Sequence, residues 1–331
     1  LMKDLFNSFP VISFLLITFA ITFSTWFSPV FLDLPVDIAF AMMLLGGCGP
    51  LLAGYIIRVV QSQTTFRVRS WPVFIAVFVG SLFVLGMRLY LIDHGMSDVN
   101  GRIPKMEEVS TLGYGLFVLM AIVLAWNASN WNNPNIKENY LTSFLFQKKA
   151  LPWYLIALGL QPIFSVVSYL AGRVLGFELS GELVFIDGMW FVGLLSTFFF
   201  FGGNEEFGWR GFMQLELQKK YSPLVTILVV SFFWSIWHLP HYYNGFYSTA
   251  GFMEMLPRFF WTIPLTVVIH WVYNNSNYSM LAVVLLHTMN NNFGRGFGSS
   301  GKIYVGLLFL FCLYLIVRDR MWLSRPSQLP S

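Results

Sequence analysis

Charge is scarce in this chain. Asp, Glu, Lys and Arg together make up 11% of its 331 residues, and the formal net charge is only +4. A balance of that size calls for no nucleic-acid partner, and where the charges fall matters more than their total. Cysteine is scarcer still. Cys48 and Cys312 both sit in apolar runs and supply no CxxC and no disulfide framework. They read as buried thiols packing as small hydrophobes. There is no HExxH, no low-complexity tract and no internal repeat. The missing repeat disfavours a transporter built from inverted halves. No long polar stretch separates the apolar segments. The first apolar run lacks a small-residue cleavage site, so it reads as a retained helix and not a signal peptide.

What the chain does contain is hydrophobic: 56% of residues, with 35 Phe and 12 Trp. That composition belongs to an all-α, polytopic integral membrane bundle. Apolar segments near 11–30, 38–57, 72–91, 111–126, 152–171, 188–203, 222–239, 258–273, 278–292 and 303–317 are candidate spans. The fourth, eighth and ninth are short, which gives eight to ten transmembrane helices. The expected organisation is a single membrane domain over 1–331. It comprises N-terminal helices over 1–200, a motif-bearing core over 200–292 and a short, polar, disordered tail over 321–331.

Alternating the spans from a cytoplasmic N-terminus puts 13 basic residues inside and six outside, with Arg88 within a span. The positive-inside rule then places both termini in the cytoplasm, in a multi-pass protein of the cell membrane. Arg88 lies near the end of its span, and snorkelling accounts for it. The Asn-rich stretch from Trp126 to Leu151, with Lys148 and Lys149, reads as a surface segment beside anionic lipid. Gly46, Gly47, Gly49 and Pro50 predict close packing and a kink within the second span.

Charge inside a membrane marks function by default, and it gathers between Gly202 and His241. Glu206 and Arg210 are four apart, in the favourable order for an ion pair on one helical face. Glu205 points elsewhere, and its i+4 position is Trp209. Glu206 thus reads as the paired, structural carboxylate and Glu205 as the one left for chemistry. The competing reading has Asn204 capping a helix whose dipole both glutamates complement. Lys219 to Pro223 form a turn, with Ser222-Pro223 opening the next helix. Glu205 and His238 each lie roughly 16 residues from the turn centre, about 24 Å along an unbroken helix, so the hairpin should bring them face to face. Trp234 shelves His238 one turn earlier, Pro240 ends the helix, and His241 falls on the rim. His287 and Asn291, four apart on a later helix, offer two donors in an apolar setting, which suits an oxyanion hole. They equally suit helix–helix hydrogen bonding. His270 has no visible companion, and His94 lies in a loop.

The stretches EEFGWRGFMQLELQ, FFWSIWHLP and WVYNNSNYSMLAVVLLHTMNN resemble the CPBP family of membrane proteases, the CAAX proteases and bacteriocin-processing enzymes of Abi or Rce type. The family pattern is EExxxR, aromatic-xxxH and HxxxN, met here by Glu205-Glu206…Arg210, Trp234…His238 and His287…Asn291. The aromatic is often Phe in the family; Trp stands here, and only an aromatic surface is expected to matter. GCGPLLAG at Gly47 to Gly54 resembles an upstream family feature. The resemblance covers residues 200–292 well and implies an intramembrane glutamic endopeptidase. Glu205 and His238 would activate water, His287 and Asn291 would bind the oxyanion or position the carbonyl, and Glu206 and Arg210 would support the geometry. The implied partners are membrane lipid and a peptide or protein substrate, lipidated or hydrophobic at its end. No cofactor is implied. A zinc site from Glu205, His238 and His287 stays open as an alternative mechanism. A non-proteolytic scaffold or bacteriocin-immunity protein stays open as an alternative function. One tension remains: the charge count puts the Lys219-Lys220 turn inside, so the hairpin carries Glu205 and His238 towards the outer half, whereas CAAX-type chemistry expects cytoplasmic access.

Overall fold

A computed structural model describes residues 2–95, 102–130, 133–136, 144–177, 188–247, 250–293 and 301–324. The tail beyond residue 324 lies outside them, as do Lys137, Arg295 and Arg325. Among the described residues every regular element is helical. In chain order these are α1 (Met2–Ser8), α2 (Pro10–Trp26), α3 (Ser28–Phe31), α4 (Val36–Gly47), α5 (Gly49–Gln61), α6 (Trp71–Asp93), α7 (Thr111–Ala128), α8 (Leu151–Val174) and α9 (Gly188–Phe199). Then follow α10 (Glu206–Gly208), a π-helical stretch (Trp209–Gln214), α11 (Leu215–Gln218), α12 (Pro223–Trp237), α13 (Phe252–Asn275), α14 (Met280–Phe293) and α15 (Gly301–Arg318).

Each of the ten apolar segments is a helix, and the all-α membrane bundle stands. Among the described residues six helices are long and apolar enough to cross a membrane, and the bent pair α4–α5 makes a seventh. The segments at 111–126 and 258–273 are longer than they looked: α7 runs 18 residues and α13 runs 24. α9, α12 and α14 have 12, 15 and 14 residues. At 1.5 Å per residue these three fall short of a hydrocarbon core of about 30 Å, so a count of eight to ten holds only if they are included. Side chains such as Leu16, Phe83, Leu155, Phe260 and Leu310 point outward from the long helices, as lipid-facing residues do.

The kink expected near Gly46–Pro50 is a 43° bend between α4 and α5. α2 packs across it: Thr22 Oγ1 donates to the Gly46 carbonyl at 2.7 Å, and Trp26 Nε1 donates to that of Met43 at 2.8 Å. Two apolar cores result. One joins α2, α5, α8 and the C-terminal helices; the other joins α4, α6 and α7, and Phe207 packs against both. Cys48 and Cys312 are buried and unbridged. Lys148 and Lys149 are exposed, while Asn127, Asn130 and Asn133 are buried and hydrogen-bonded.

The hairpin that carries the motifs starts where Ser222 Oγ accepts from Val225 N at 3.4 Å and Pro223 opens α12. Its first arm is not one α-helix: a short 3₁₀ turn at Gly203–Glu205 leads into α10, and the π stretch follows. A π turn holds more residues per turn and advances less per residue, a departure often found at functional sites. This arm leans directly on the bend, because Gly208 lies against Pro50, where a Cβ would collide with the Pro50 carbonyl. Gly208→Ala should therefore lower the stability of the detergent-solubilised protein by about 1–3 kcal/mol. Gly306→Ala, at a helical glycine with open space around it, should be neutral or slightly stabilising. Thermal unfolding of both variants checks the contrast.

Candidate active site

The most deeply buried charges belong to α10 and the π stretch. Glu206 and Arg210 are both fully buried, at 0% exposure. Glu206 Oε1 accepts from Arg210 Nη1 at 3.0 Å and from His287 Nδ1 at 2.6 Å. A carboxylate in an apolar interior is tolerable only when paired and hydrogen-bonded, and here one oxygen ties the hairpin to α14. The Glu206–Arg210 pair is the one the i,i+4 spacing indicated. The link to His287 crosses helices far apart in sequence, and spacing gave no sign of it.

Trp234 connects the remaining groups. Its indole Nε1 donates to Glu205 Oε2 at 2.9 Å. Its ring lies under the Arg210 guanidinium at 4.2 Å and meets the His287 ring edge-on at 5.4 Å. Its backbone carbonyl accepts from His238 Nδ1 at 2.7 Å. A carbonyl only accepts, so Nδ1 carries the proton and neutral His238 presents a bare Nε2. Glu205 and His238 are thus attached to the same residue, Glu205 through the Trp234 indole and His238 through the Trp234 carbonyl. The first arm is not the unbroken helix that the equal-depth argument assumed, since a π stretch interrupts it. Beyond an aromatic surface, Trp234 supplies an N–H to Glu205 that a phenylalanine in its place would lack.

Opposite these groups, Gly202 lies at φ +139°, a conformation that favours glycine. A Cβ on Gly202 would sit 2.9 Å from both His287 Nε2 and Asn291 Nδ2. Its absence keeps open the edge that those two residues present. Asn291 Nδ2 donates to the Phe201 carbonyl at 2.8 Å, which leaves its second N–H for another acceptor. Sequence reading took Gly202 only as the start of the charge-bearing stretch. The signal available was a glycine three residues before the motif, too common to single out. Asn290 and Asn292 turn away, to Asn291 Oδ1 and to Thr197 and Thr288. Arg88 does not simply reach for water; its guanidinium lies 5.4 Å from the centre of the Phe201 ring.

Three other expectations change. Asn204 does not cap a helix; its Nδ2 donates to the Gly47 carbonyl at 3.3 Å, fastening the motif to the bend. His241 is buried, its ring stacked 3.8 Å from that of Trp26, because the turn after Pro240 folds back over α2. His270 has companions, with Gln218 Nε2 and Asn274 Nδ2 at 3.2 and 3.0 Å from its Nε2. His94 is exposed at the end of α6. Among the described residues no three His, Cys, Asp or Glu side chains are grouped so as to hold a metal ion.

The two glutamates should separate in a stability measurement. Arg210→Ala strands Glu206 in the interior and should cost about 3–5 kcal/mol. Glu205→Gln, which keeps an acceptor for Trp234, should cost less than about 1 kcal/mol. Denaturation of the purified variants in one detergent reads both.

Residues 187–293 match the family described as Rce1-like, type II CAAX prenyl endopeptidase Rce1-like. The chain is also similar to CAAX prenyl protease 2 of Methanococcus maripaludis, with 24% identity over 214 residues, covering 62% of this chain and 78% of that protein. Both matches fall on a chain whose glutamate pair, arginine and histidines meet around one tryptophan. The motif-bearing segment of the chain is thus similar to the Rce1-like family of type II CAAX prenyl endopeptidases.

Proposed function

We propose that the protein is an intramembrane endopeptidase of CAAX-protease type, acting through a glutamate-activated water and without a metal. One observation carries this reading. A carboxylate held by a single hydrogen bond and an imidazole with a bare Nε2 are fixed by the same tryptophan, beside two side-chain nitrogens left uncovered by Gly202. Glu205 takes a proton from the attacking water as the water oxygen bonds to the carbonyl carbon, His238 Nε2 accepts the second hydrogen bond and aligns the oxygen, and Glu205 returns its proton to the amine nitrogen as the C–N bond breaks. Asn291 turns its second N–H to the carbonyl oxygen as it becomes negative, where fixed donors in a dry site stabilise charge most; His287 Nε2 joins it as a donor when both ring nitrogens carry protons, since Nδ1–H is bonded to Glu206. Glu206 and Arg210 hold His287 in place and do not touch the substrate. The substrate is a membrane-associated peptide or protein with a hydrophobic or prenylated C-terminal region, as the family's description supports.

The deciding experiment is cleavage of a panel of prenylated and hydrophobic peptides by the purified protein, with and without a strong chelator. Glu205→Gln and His238→Ala should each lower kcat by about 10²–10⁴-fold, and chelator should change nothing. Loss of activity with chelator, restored by zinc, would replace this mechanism with a metalloprotease using Glu205, His238 and His287. Failure to cleave any peptide while the variants remain folded would favour a scaffold or immunity role. Trp234→Phe keeps the ring and removes the donor to Glu205, so it should lower kcat while leaving KM nearly unchanged.

The same proposal treats the chain as one membrane domain with both termini in the cytoplasm. A single cysteine placed at Lys220 in a background without Cys48 and Cys312 should then resist a membrane-impermeant thiol reagent added to intact cells. Labelling at that position would invert the topology.

A further inference from the structure

Arg210 is committed to Glu206, so the groups proposed for catalysis leave no fixed cation for the substrate. A second guanidinium stands on the other side of His238. Arg258, near the start of α13, donates from Nη1 to Tyr247 Oη at 2.9 Å and lies 5.3 Å from that ring's centre. The Tyr247 ring is 5.4 Å from that of His241, and the His241 ring is 6.2 Å from that of His238.

Arg258 has no ion-pair partner among the described residues. Glu254, one turn earlier in the order that favours an i,i+4 pair, does not form one; the guanidinium turns to Tyr247 instead. Its Nε is buried and meets no acceptor. A guanidinium carries five donors in a planar fork that matches a carboxylate. Leaving most of them unused in a low-dielectric setting is costly unless an anion arrives. Arg102, which donates from Nε to the Gly245 carbonyl at 3.2 Å, holds the backbone of the same loop and is exposed.

A peptide in extended form advances about 3.3 Å per residue, so three residues reach roughly 10 Å. The successive steps from His238 through His241 and Tyr247 to Arg258, 6.2, 5.4 and 5.3 Å, bound from above the distance such a segment has to span. A CAAX-type substrate ends in a free carboxylate three residues after its modified cysteine.

We propose that Arg258 binds the free C-terminal carboxylate of the substrate, so that the cleavage position is measured from the chain end. This rests on the endopeptidase reading above, and the test separates the two. Two hydrophobic peptides of one sequence, ending in a carboxylate or an amide, are titrated into the full-length Glu205→Gln protein with and without Arg258→Gln, Arg258→Lys or Arg102→Gln. Cleavage by the same proteins carrying Glu205 is followed in parallel. The acid should bind about ten- to a hundredfold more tightly than the amide. Arg258→Gln should erase that preference, Arg258→Lys should keep part of it, and Arg102→Gln should leave it intact. In cleavage, Arg258→Gln should raise KM for the acid while kcat stays within about twofold. Equal affinity for the two peptides, no binding of the acid, or a preference that survives Arg258→Gln overturns the proposal. A preference that depends on Arg258, with neither peptide cleaved by the Glu205 protein, upholds the carboxylate site and overturns the endopeptidase reading.

Discussion

A single carboxylate oxygen, Glu206 Oε1, holds the centre of this molecule together. It accepts from Arg210 on its own helix and from His287 on α14, all within a fully buried shell. In an apolar interior such a group either finds charged donors or ceases to be charged, so the three side chains constrain one another. Their pairing fixes the rotation of α10 and sets the His287 ring with Nε2 towards Gly202. It also places the Arg210 guanidinium over Trp234. The neighbouring Glu205 and His238 can then be held lightly, because the ion pair already supplies the rigidity.

Backbone irregularity does the rest of the positioning. The bend between α4 and α5 receives Gly208 against Pro50 and Asn204 against the Gly47 carbonyl. The π stretch at Trp209–Gln214 interrupts the first arm of the hairpin. Trp234 is the common support of Glu205 and His238, the first through its indole N–H and the second through its backbone carbonyl. Departures of this kind collect where a regular element cannot aim its side chains correctly.

Much of the fold was legible in the chain. All ten apolar segments proved helical, the second as the bent pair α4–α5, because lipid permits only structures that satisfy their own backbone hydrogen bonds. The Gly46–Pro50 kink and the Ser222-Pro223 helix start were local signals and read correctly, as was the Glu206–Arg210 pair. Helix lengths were less legible: α13 begins at Phe252, where a polar, charge-bearing turn hides its start from a hydropathy count.

The sequence alone determined that this is a helical membrane protein, which side chains carry charge inside it, and which of the two adjacent glutamates has a partner one turn away. Periodicity and apolar length decide such things, since both act within a few residues. Only the tertiary structure decided that His287 bonds Glu206 and that Trp234 bonds Glu205. The same holds for the opening that Gly202 keeps beside Asn291, the companions of His270 and the turning of Arg258 towards Tyr247. Most of these contacts join segments far apart in the chain, and their register depends on a bend and a π turn that no count of residues can supply.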